Sequence, residues 1–343
     1  MRTGDETPTV DRSRQTRMLV AAVCLVALGA AMLTGAQAAR AAAASQLTFA
    51  TYNVCNIDCD APAPSWNVRR DRVVRVIERS GAQVLSLNEA SDLPFGSINQ
   101  WRDIQELLAP LGYAAPAIQD DRCASLGCTH TARLMFASAS VLQVSFDGQS
   151  SAGYWRVKDI APAVPVDGDR QVTWAYLQGV NGSGPFLAIS VHLSTQKTAA
   201  AERHRLDFGR AATSWAEGMN TARGLSGAPV VLMGDFNSYD FRQPHGVQKV
   251  LRDAGWTDAI SAPKRTNVRI NSINYTTTQR SGWPSRPIFN KWRLAARIDY
   301  IMMRGPVRPM SYTVVVHVNK DGSFDKAYQG SDHLMVRAVL AFG

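Results

Sequence analysis

From residue 47 onward, apolar runs alternate with amphipathic segments, a pattern typical of a chain that mixes strands with helices. Residues 47–53 are rich in β-forming side chains and predict a strand. Residues 67–80 carry apolar positions on one helical face and predict a helix, and residues 83–87 predict a buried strand. The chain therefore opens with a strand, a helix and a second strand.

The same alternation continues to the C-terminus. Further helices are predicted over residues 101–109, 198–221 and 247–254. Further strands are predicted over residues 134–146, 171–180, 186–193, 230–233, 298–303, 312–318 and 334–341. Small residues interrupt the first of these strands, which favours a hairpin there. No Gly/Ser- or Pro-rich linker divides the pattern, so we expect a single α/β domain over residues 47–343.

Residues 262–292 interrupt the alternation. This segment is polar, with several Asn, Thr and Arg residues and the aromatic residues Tyr275, Trp283, Phe289 and Trp292. We expect a long irregular loop on the surface, and loops of this length in compact domains are often functional.

The N-terminal 38 residues have the features of an export signal. Arg12, Arg14 and Arg17 precede an apolar stretch over residues 18–33, and small residues around position 38 suit a cleavage site. We expect residues 1–38 to be a signal peptide, residues 39–46 a short Ala-rich linker, and the mature protein to be secreted. The alternative is a membrane anchor over residues 18–39, although its distal end is weakly apolar.

Four cysteines remain once the signal is removed: Cys55, Cys59, Cys123 and Cys128. An even number of cysteines in an exported protein favours disulfides, for which three connectivities are open. The short spacings favour pairing within each half, Cys55 with Cys59 and Cys123 with Cys128. A zinc site is the alternative, but no CxxC pair is present.

The charge balance is basic. The chain carries a formal net charge of +9, and removal of residues 1–38 deletes four arginines and three acidic residues, which leaves about +8. Such a field attracts polyanions such as nucleic acid or an anionic membrane surface.

Polar residues recur at the ends of the apolar strands, where open sheets place reacting groups. In chain order they are Asn53, Glu89, His192, Asp235, Asn237, Asp299, Asp332 and His333. Asp235 and Asn237 are two residues apart on an extended chain and point the same way, which would aim a carboxylate and an amide at one site. A strand-capping turn is the alternative for this pair.

Asp299 lies in an otherwise apolar strand, so its charge requires a partner. Arg297, two residues away on the same face, is one candidate, and a histidine from another strand is the other. Asp332 and His333 join an oxygen ligand for a hard metal to a group that titrates near neutrality. A buried structural histidine at position 192 and simple strand-terminal polar residues at positions 53 and 89 remain the alternatives.

The joint order of these residues resembles the endonuclease/exonuclease/phosphatase superfamily, also called the deoxyribonuclease I-like family. The motifs are Thr51-Tyr52-Asn53-Val54, Leu87-Asn88-Glu89, Val191-His192-Leu193, Gly234-Asp235-Phe236-Asn237, Arg297-Ile298-Asp299-Tyr300 and Ser331-Asp332-His333. The resemblance implies a four-layer α/β sandwich, in which two packed mixed β-sheets are flanked by helices. The chain departs from the family at Asn88, where members commonly carry Gln.

The resemblance also implies roles for these residues. Glu89 would be the principal Mg²⁺ ligand, with Asn53 and Asp332 in the metal environment. Asp235 and Asn237 would orient water and phosphate oxygens, and His192 would donate to the phosphate or assist the leaving oxygen. His333 would be the general base, held by Asp299. Oxygen ligands of this kind suit Mg²⁺, and Mn²⁺ or Ca²⁺ could substitute for it.

The substrate is less determined than the reaction. The basic balance and the cations Arg265, Arg269, Arg280, Arg286 and Lys291 favour a nuclease acting on DNA or RNA, with Trp283 and Trp292 available for stacking. The alternatives are a sphingomyelinase-like or phosphoinositide phosphodiesterase or phosphatase, and, in another class, a non-catalytic module that binds polyanions. We expect a monomer that does not insert stably into membranes after signal removal.

Overall fold

The computed structural model describes residues 45–59, 63–128, 131–164, 168–239, 246–274, 283–290 and 296–343. The predicted signal peptide lies outside these residues. Within them, the helices are α1 (Trp66–Ser80), α2 (Gln100–Leu108), α3 (Arg122–Leu126), α4 (Val157–Ile160), α5 (Ala199–Ala222) and α6 (Val247–Asp253). Two 3₁₀ turns span Ala109–Leu111 and Ala259–Ser261.

Local chemistry sets the helix ends. Thr198 begins α5 because its side chain accepts a hydrogen bond from the backbone N–H of Ala201 at 3.1 Å. Asn99 caps α2 in the same way through Arg102. Helix α1 ends at Gly81, which adopts φ +59°, a conformation that glycine enters without steric cost.

The first sheet has seven strands and mixes parallel with antiparallel pairs. Its order is β14 (Lys264–Thr266), β16 (Val307–Val314), β17 (Val336–Phe342), β1 (Gln46–Asn53), β2 (Val84–Asn88), β7 (Ala132–Ala137) and β5 (Tyr113–Ala114). The parallel pair β1 and β2 is joined through α1, as the sequence predicts.

The second sheet has eight strands and is also mixed. Its order is β13 (Thr257–Asp258), β15 (Asp299–Arg304), β12 (Val230–Asp235), β11 (Phe186–His192), β10 (Gln171–Gly179), β9 (Ala152–Arg156) and β6 (Asp120–Asp121), and β8 (Val141–Gln143) pairs with β10. A separate small hairpin joins β3 (Pro94–Phe95) to β4 (Ile98–Asn99).

Three apolar clusters define the layers. The central cluster combines residues of both sheets, such as Phe49 and Leu134 from the first and Ala188 and Met233 from the second. A second cluster packs α5 and α6 against the outer face of the second sheet, and a third packs α1 and α2 against the outer face of the first. The domain is therefore a four-layer α/β sandwich, which confirms the expected fold class.

The structure corrects the hairpin prediction over residues 134–146. This stretch forms two strands, but β7 pairs with β2 in the first sheet and β8 pairs with β10 in the second. The small residues mark a crossing between sheets rather than a hairpin turn. Strand β16 also begins earlier than predicted, at Val307, and short strands such as β9 escaped prediction.

The predicted surface loop over residues 262–292 is only partly a surface loop. It contributes β14 to the first sheet, and Ser272 and Asn274 are buried. Backbone bonds from Asn274 to Asp332 and from Leu334 to Ser272 draw this segment alongside His333. Residues 275–282 and 291–292 lie outside the described part of the chain. No helix in the described ranges has the length and apolar character needed to span a bilayer.

Candidate active site

Strand register places three of the predicted site residues in one row across the second sheet. His192 at the end of β11 is paired with Asp235 at the end of β12, and Asp235 is paired with Asp299 at the start of β15. All three are almost completely buried, with exposures of 0% to 1%. Three distant sequence motifs therefore meet at one edge of the sandwich.

Asn88 links the first sheet, through hydrogen bonds, to the strands that carry His192 and Asp235. Its Nδ2 donates to the carbonyl oxygen of Val191 at 3.0 Å, and its Oδ1 accepts the backbone N–H of Asp235 at 2.9 Å. Ser86 and Ser190 add a hydroxyl contact of 2.7 Å between the sheets. Asn88 is the position where this sequence departs from the family, whose members commonly carry Gln. Its side-chain amide, one methylene shorter than that of Gln, holds the two sheets together beside the site.

His333 is the partner of Asp299. Its Nδ1 lies 3.0 Å from Oδ2 of Asp299, while its Nε2 lies 3.8 Å from Oδ2 of Asp235. Ser272 secures the segment from the other side, because its hydroxyl oxygen accepts the N–H groups of Ile298 and Asp299. The imidazole is thus fixed between two buried carboxylates, one at each ring nitrogen.

Arg297, the other candidate partner of Asp299, pairs elsewhere. Its Nη2 lies 2.8 Å from Oδ2 of Asp258, and both side chains are buried. Of the two candidate partners for Asp299, the histidine is therefore the one that pairs with it.

His192 lies on the opposite side of Asp235 from Asp299. Its Nε2 is 3.6 Å from Oδ2 of Asp235 and 3.9 Å from Oε1 of Glu89. The histidine left without an assigned partner by the sequence therefore faces two acids of the site.

Asn53 orients two carboxylates. Its Nδ2 donates to Oε1 of Glu89 at 2.9 Å and to Oδ2 of Asp235 at 3.2 Å, while its Oδ1 accepts the backbone N–H of Cys55. The second oxygen of Glu89 accepts the N–H of Asn56 at 3.0 Å. Both carboxylates are thereby held in fixed orientations.

Backbone strain is concentrated here. Four non-glycine residues in the described chain have positive φ, and three of them are Cys55, Glu89 and Asn237, at +53°, +60° and +47°. Such conformations are uncommon for residues with a side chain and cluster at functional sites. Asn237 is held there because its N–H donates to Oδ1 of Asp235 at 2.8 Å and its Nδ2 to the carbonyl oxygen of Leu193.

The acids and the imidazole perturb one another. Burial, followed by the nearby charge of Asp299, raises the pKa of Asp235 to about 7, against the lowering influence of His333 and of hydrogen bonds from Asn237 and Asn53. Burial alone would lower the pKa of His333, but the charges of Asp299, Asp332 and Asp235 outweigh it and raise this pKa well above its usual value.

Both predicted disulfides are present, Cys55 with Cys59 and Cys123 with Cys128. The sulfur atoms of the first bridge lie within 4.8 Å of the Asp332 carboxylate. This bridge therefore stiffens the turn that borders Asp332, which is itself half-buried.

Arginines along helix α1 anchor two loops of the site, the loop that follows β1 and the loop that leads into Asp332 and His333. Arg69 is fully buried and donates to the carbonyl oxygens of Val54, Cys55, Asn56, Pro64 and Gly330. Farther along the helix, Arg72, Arg75 and Arg79 donate to Gln329, Ala327 and Tyr328 respectively. The loop that leads into Asp332 and His333 is thus tied to the first sheet's helix.

The donor set fits a hard divalent cation. Ligand atoms of Asp235, Asp299 and His333 lie within 4.8 Å of one another, and Glu89 adds a partly exposed carboxylate beside them. Carboxylate oxygens are the ligands that Mg²⁺ prefers, and a cation would relieve the repulsion between two buried acids. Glu89 and Asp332 lie outside that cluster, each on its own loop.

The structure thus brings His192, Asp235, Asn237, Asp299, His333, Asn53 and Glu89 into one contact network and places Asp332 on its border. Sequence reasoning missed the roles of Arg69, Asn88, Ser272 and Asn56. Each of them acts in a bond that involves a backbone N–H or carbonyl group, which no residue-type pattern reveals.

The basic segment beside the site is partly described. Arg265, Arg269 and Arg286 are exposed, Trp283 is half-buried 5.8 Å from the Arg69 guanidinium, and Phe289 is exposed. Arg280, Lys291 and Trp292 lie outside the described residues.

Comparisons with known proteins identify the family of this chain. Residues 50–333 match the sequence model of the Endonuclease/Exonuclease/phosphatase family. A search of curated protein sequences found no match.

Solved structures share the fold at low identity. An endonuclease/exonuclease/phosphatase family protein from Bacteroides thetaiotaomicron is 19% identical with TM-score 0.62, over 88% of this chain and 99% of that one. A mannosyl-6-phosphatase from Bacteroides thetaiotaomicron is 18% identical with TM-score 0.60, over 86% and 100%. D. rerio TDP2, complexed with a single-strand DNA product, is 13% identical with TM-score 0.51, over 86% and 99%.

The family match spans most of the chain and includes each strand-end motif in the observed site. The protein therefore belongs to the endonuclease/exonuclease/phosphatase family, whose members hydrolyse phosphoric esters.

Proposed function

We propose that the protein is a secreted, Mg²⁺-dependent phosphodiesterase, with nucleic acid as the first candidate substrate. The observation that carries this proposal is the pairing of His333 with Asp299 beside the row of His192 and Asp235. His333 is fixed by a buried carboxylate, its Nε2 lies 3.8 Å from Asp235, and His192 lies 3.6 Å from the same carboxylate. This arrangement suits the activation of water for attack on phosphorus.

His333 serves as the general base. The charges of the surrounding acids raise the pKa of His333, and a cation bound beside these acids would favour the neutral imidazole. In that form Nδ1–H donates to Asp299, the Nε2 lone pair accepts a proton from the attacking water, and Asp299 stabilises the imidazolium that forms. The water oxygen bonds to phosphorus as the phosphorus–oxygen bond to the leaving group breaks. The departing oxygen then takes up a proton, so a diester and water give a monoester and an alcohol.

The other residues position the reactants. Asp235 and Asn237 orient the water and the phosphate oxygens, and His192 donates to a phosphate oxygen from the opposite side. Asn53 holds Glu89 and Asp235 in place. Glu89 and Asp332 would hold Mg²⁺, for which Mn²⁺ or Ca²⁺ could substitute. The ion would supply positive charge to offset the negative charge that develops on the phosphate oxygens.

Exposed cations and aromatic groups beside the site support nucleic acid as the substrate. Arg265, Arg269 and Arg286 can contact phosphates, and Trp283 offers a ring for stacking. A phospholipid headgroup is the second candidate, supported by Phe289, whose side chain is 55% exposed on the segment that borders the His333 loop.

The proposal extends to processing and assembly. Residues 1–38 are removed as a signal peptide, residues 39–46 form a linker, and residues 47–343 act as a monomeric domain. The two disulfides support an oxidising compartment. Mass spectrometry of protein collected from the medium checks the cleavage position.

The test compares hydrolysis of bis(p-nitrophenyl) phosphate, DNA, RNA, sphingomyelin and a phosphoinositide, each with Mg²⁺ and with chelator. We expect His333→Ala to lower turnover at least about 1,000-fold while His317→Ala, which removes a histidine stacked on Tyr328, retains activity. Glu89→Gln should weaken Mg²⁺ binding measured by calorimetry. A folded protein that cleaves none of the esters would instead support a polyanion-binding module, and turnover that survives His333→Ala would reject His333 as the general base.

A further inference from the structure

A cleft of about 370 Å³ opens beside Glu89. Its walls come from three segments: Asn56 after β1, Ser91 to Leu93 after β2, and Cys128 and Thr131 before β7. Glu89 accepts a hydrogen bond from Asn53 and lies 3.9 Å from His192, so a group in this cleft adjoins the phosphate under attack.

The polar groups around this cleft direct their hydrogens into the protein. The Ser91 hydroxyl donates to Gln100 at 2.7 Å, and the Thr131 hydroxyl donates to the carbonyl oxygen of Ala90 at 2.7 Å. The Oδ1 atom of Asn56 is buried and has no hydrogen-bond donor among the described residues. What the cleft offers to a ligand is therefore mainly hydrogen-bond acceptors.

The charge of the cleft is negative. Glu89 and Asp92 contribute carboxylates, and no described residue that lines it is a lysine or an arginine. Arg133 lies behind Asp92 and contacts its Oδ2 at 2.5 Å, but the Asp92 side chain remains 59% exposed. A second phosphate placed here would face two carboxylates, and no described residue of the lining is a lysine or arginine that could offset them, which is unfavourable.

Aromatic recognition is also missing from the described lining. A quaternary ammonium group is bound by aromatic cages and a nucleobase by stacking on rings, and the described wall residues include neither. Leu93 and the disulfide-bonded Cys128 supply apolar surface instead. Acceptors together with a small apolar wall suit a ring that carries hydroxyl groups.

We propose that this cleft binds an uncharged sugar ring esterified to the scissile phosphate, with ring hydroxyls donating to the exposed carboxylate of Asp92. The substrate class is then a phosphate ester of a sugar that bears free hydroxyls and no second phosphate on that ring. The sugar can belong to a free sugar phosphate or to the terminal nucleotide of an RNA strand. This inference rests on the proposed function, because it takes Glu89 to lie beside the scissile phosphate.

Calorimetric binding in the presence of Mg²⁺ tests the subsite independently of turnover. The probes are glucose 6-phosphate, hexyl phosphate and fructose 1,6-bisphosphate. We expect the wild-type protein to bind glucose 6-phosphate at least about tenfold more tightly than either of the others, because only glucose 6-phosphate supplies hydroxyls without a second charge. Equal dissociation constants for glucose 6-phosphate and hexyl phosphate would overturn the proposal.

Asp92→Asn should weaken glucose 6-phosphate binding about tenfold and leave hexyl phosphate binding unchanged, since only the sugar donates hydrogen bonds to Asp92. Glu106→Gln is the matched control, because Glu106 is a similarly exposed acid paired with an arginine outside the cleft. If Asp92→Asn does not fold, Leu93→Trp at a 40% exposed position fills the cleft and should weaken glucose 6-phosphate binding at least tenfold. Unchanged affinity in the folded variants would refute the subsite.

Hydrolysis assays distinguish a failure of the sugar subsite from a failure of the proposed function. Metal-dependent cleavage of bis(p-nitrophenyl) phosphate without sugar selectivity in binding would retain the function and reject the subsite. Linear and circular single-stranded RNA of one sequence then distinguish the two sources of the sugar. Cleavage of the linear strand alone places the sugar at a strand end, and equal cleavage of both contradicts the exclusion of a second phosphate.

Discussion

Replacement of Arg69 by methionine is expected to destabilise the domain and disturb both loops of the site. Arg69 is fully buried on α1 and makes five bonds of 2.7 to 3.1 Å to backbone carbonyl oxygens. Burial lowers the pKa of its guanidinium to about 10, against the raising influence of Tyr52, Asp332 and Glu89, so it remains charged at neutral pH.

The size of the effect follows from these bonds. Each hydrogen bond from a charged donor contributes about 1.5–3 kcal/mol, and a buried carbonyl left without a donor costs about 1–3 kcal/mol. These terms are not additive, and methionine regains some apolar burial, so we expect a loss of about 4 kcal/mol in the free energy of unfolding. Arg69→Lys keeps a charge but has fewer donors and should lose about 2 kcal/mol.

The assay is urea denaturation followed by circular dichroism, with kcat measured at a temperature where each variant is folded. Arg75→Met is the matched control, because Arg75 is an arginine on the same helix that makes one exposed bond to Ala327. It should change stability by less than about 0.5 kcal/mol. A loss below about 1 kcal/mol for Arg69→Met, or turnover equal to the wild type in the folded variants, would refute the positioning role.

Three further predictions concern the same framework. Asp299→Asn should lower kcat about 1,000-fold with little loss of stability, while Asp207→Asn, at a partly exposed position on α5, should leave kcat unchanged. Similar kinetics in both would show that Asp299 does not hold the base. Gly234→Ala should lower the free energy of unfolding by about 4 kcal/mol or prevent folding, because a Cβ at φ +147° would lie 1.8 Å from the carbonyl oxygen of Val191. Gly218→Ala on α5 is the control: its Cβ meets nothing within 4 Å, so it should be neutral or stabilising by about 0.5 kcal/mol. Chemical denaturation measures both. Replacing Cys123 and Cys128 together by serine should lower the free energy of unfolding by about 2 kcal/mol, and an unchanged melting temperature would contradict this.

Much of the fold was accessible from the alternation of apolar and polar residues. Strands β1, β2, β10, β11, β12 and β17 and helices α1, α5 and α6 follow the predicted segments within a few residues, because each buries a face or a continuous apolar run. The strand over residues 134–146 failed as a hairpin because sheet membership depends on distant partners. Periodicity carries no information about which sheet a strand joins.

The sequence by itself determined which residues could carry the chemistry. Acids, amides and imidazoles at strand ends, in a recognisable order, identified the eight predicted site residues and the family. The even set of closely spaced cysteines likewise indicated the two disulfides that the structure contains.

Only the tertiary structure decided how those residues pair. Asp299 could have paired with Arg297 or with a histidine, and the choice was made by β13, which brings Asp258 to Arg297 and leaves Asp299 to His333. The roles of Asn88, Ser272 and Arg69 also depend on contacts between segments far apart in the chain. Such contacts arise from strand register and helix packing, which fix distances that one-dimensional spacing leaves open.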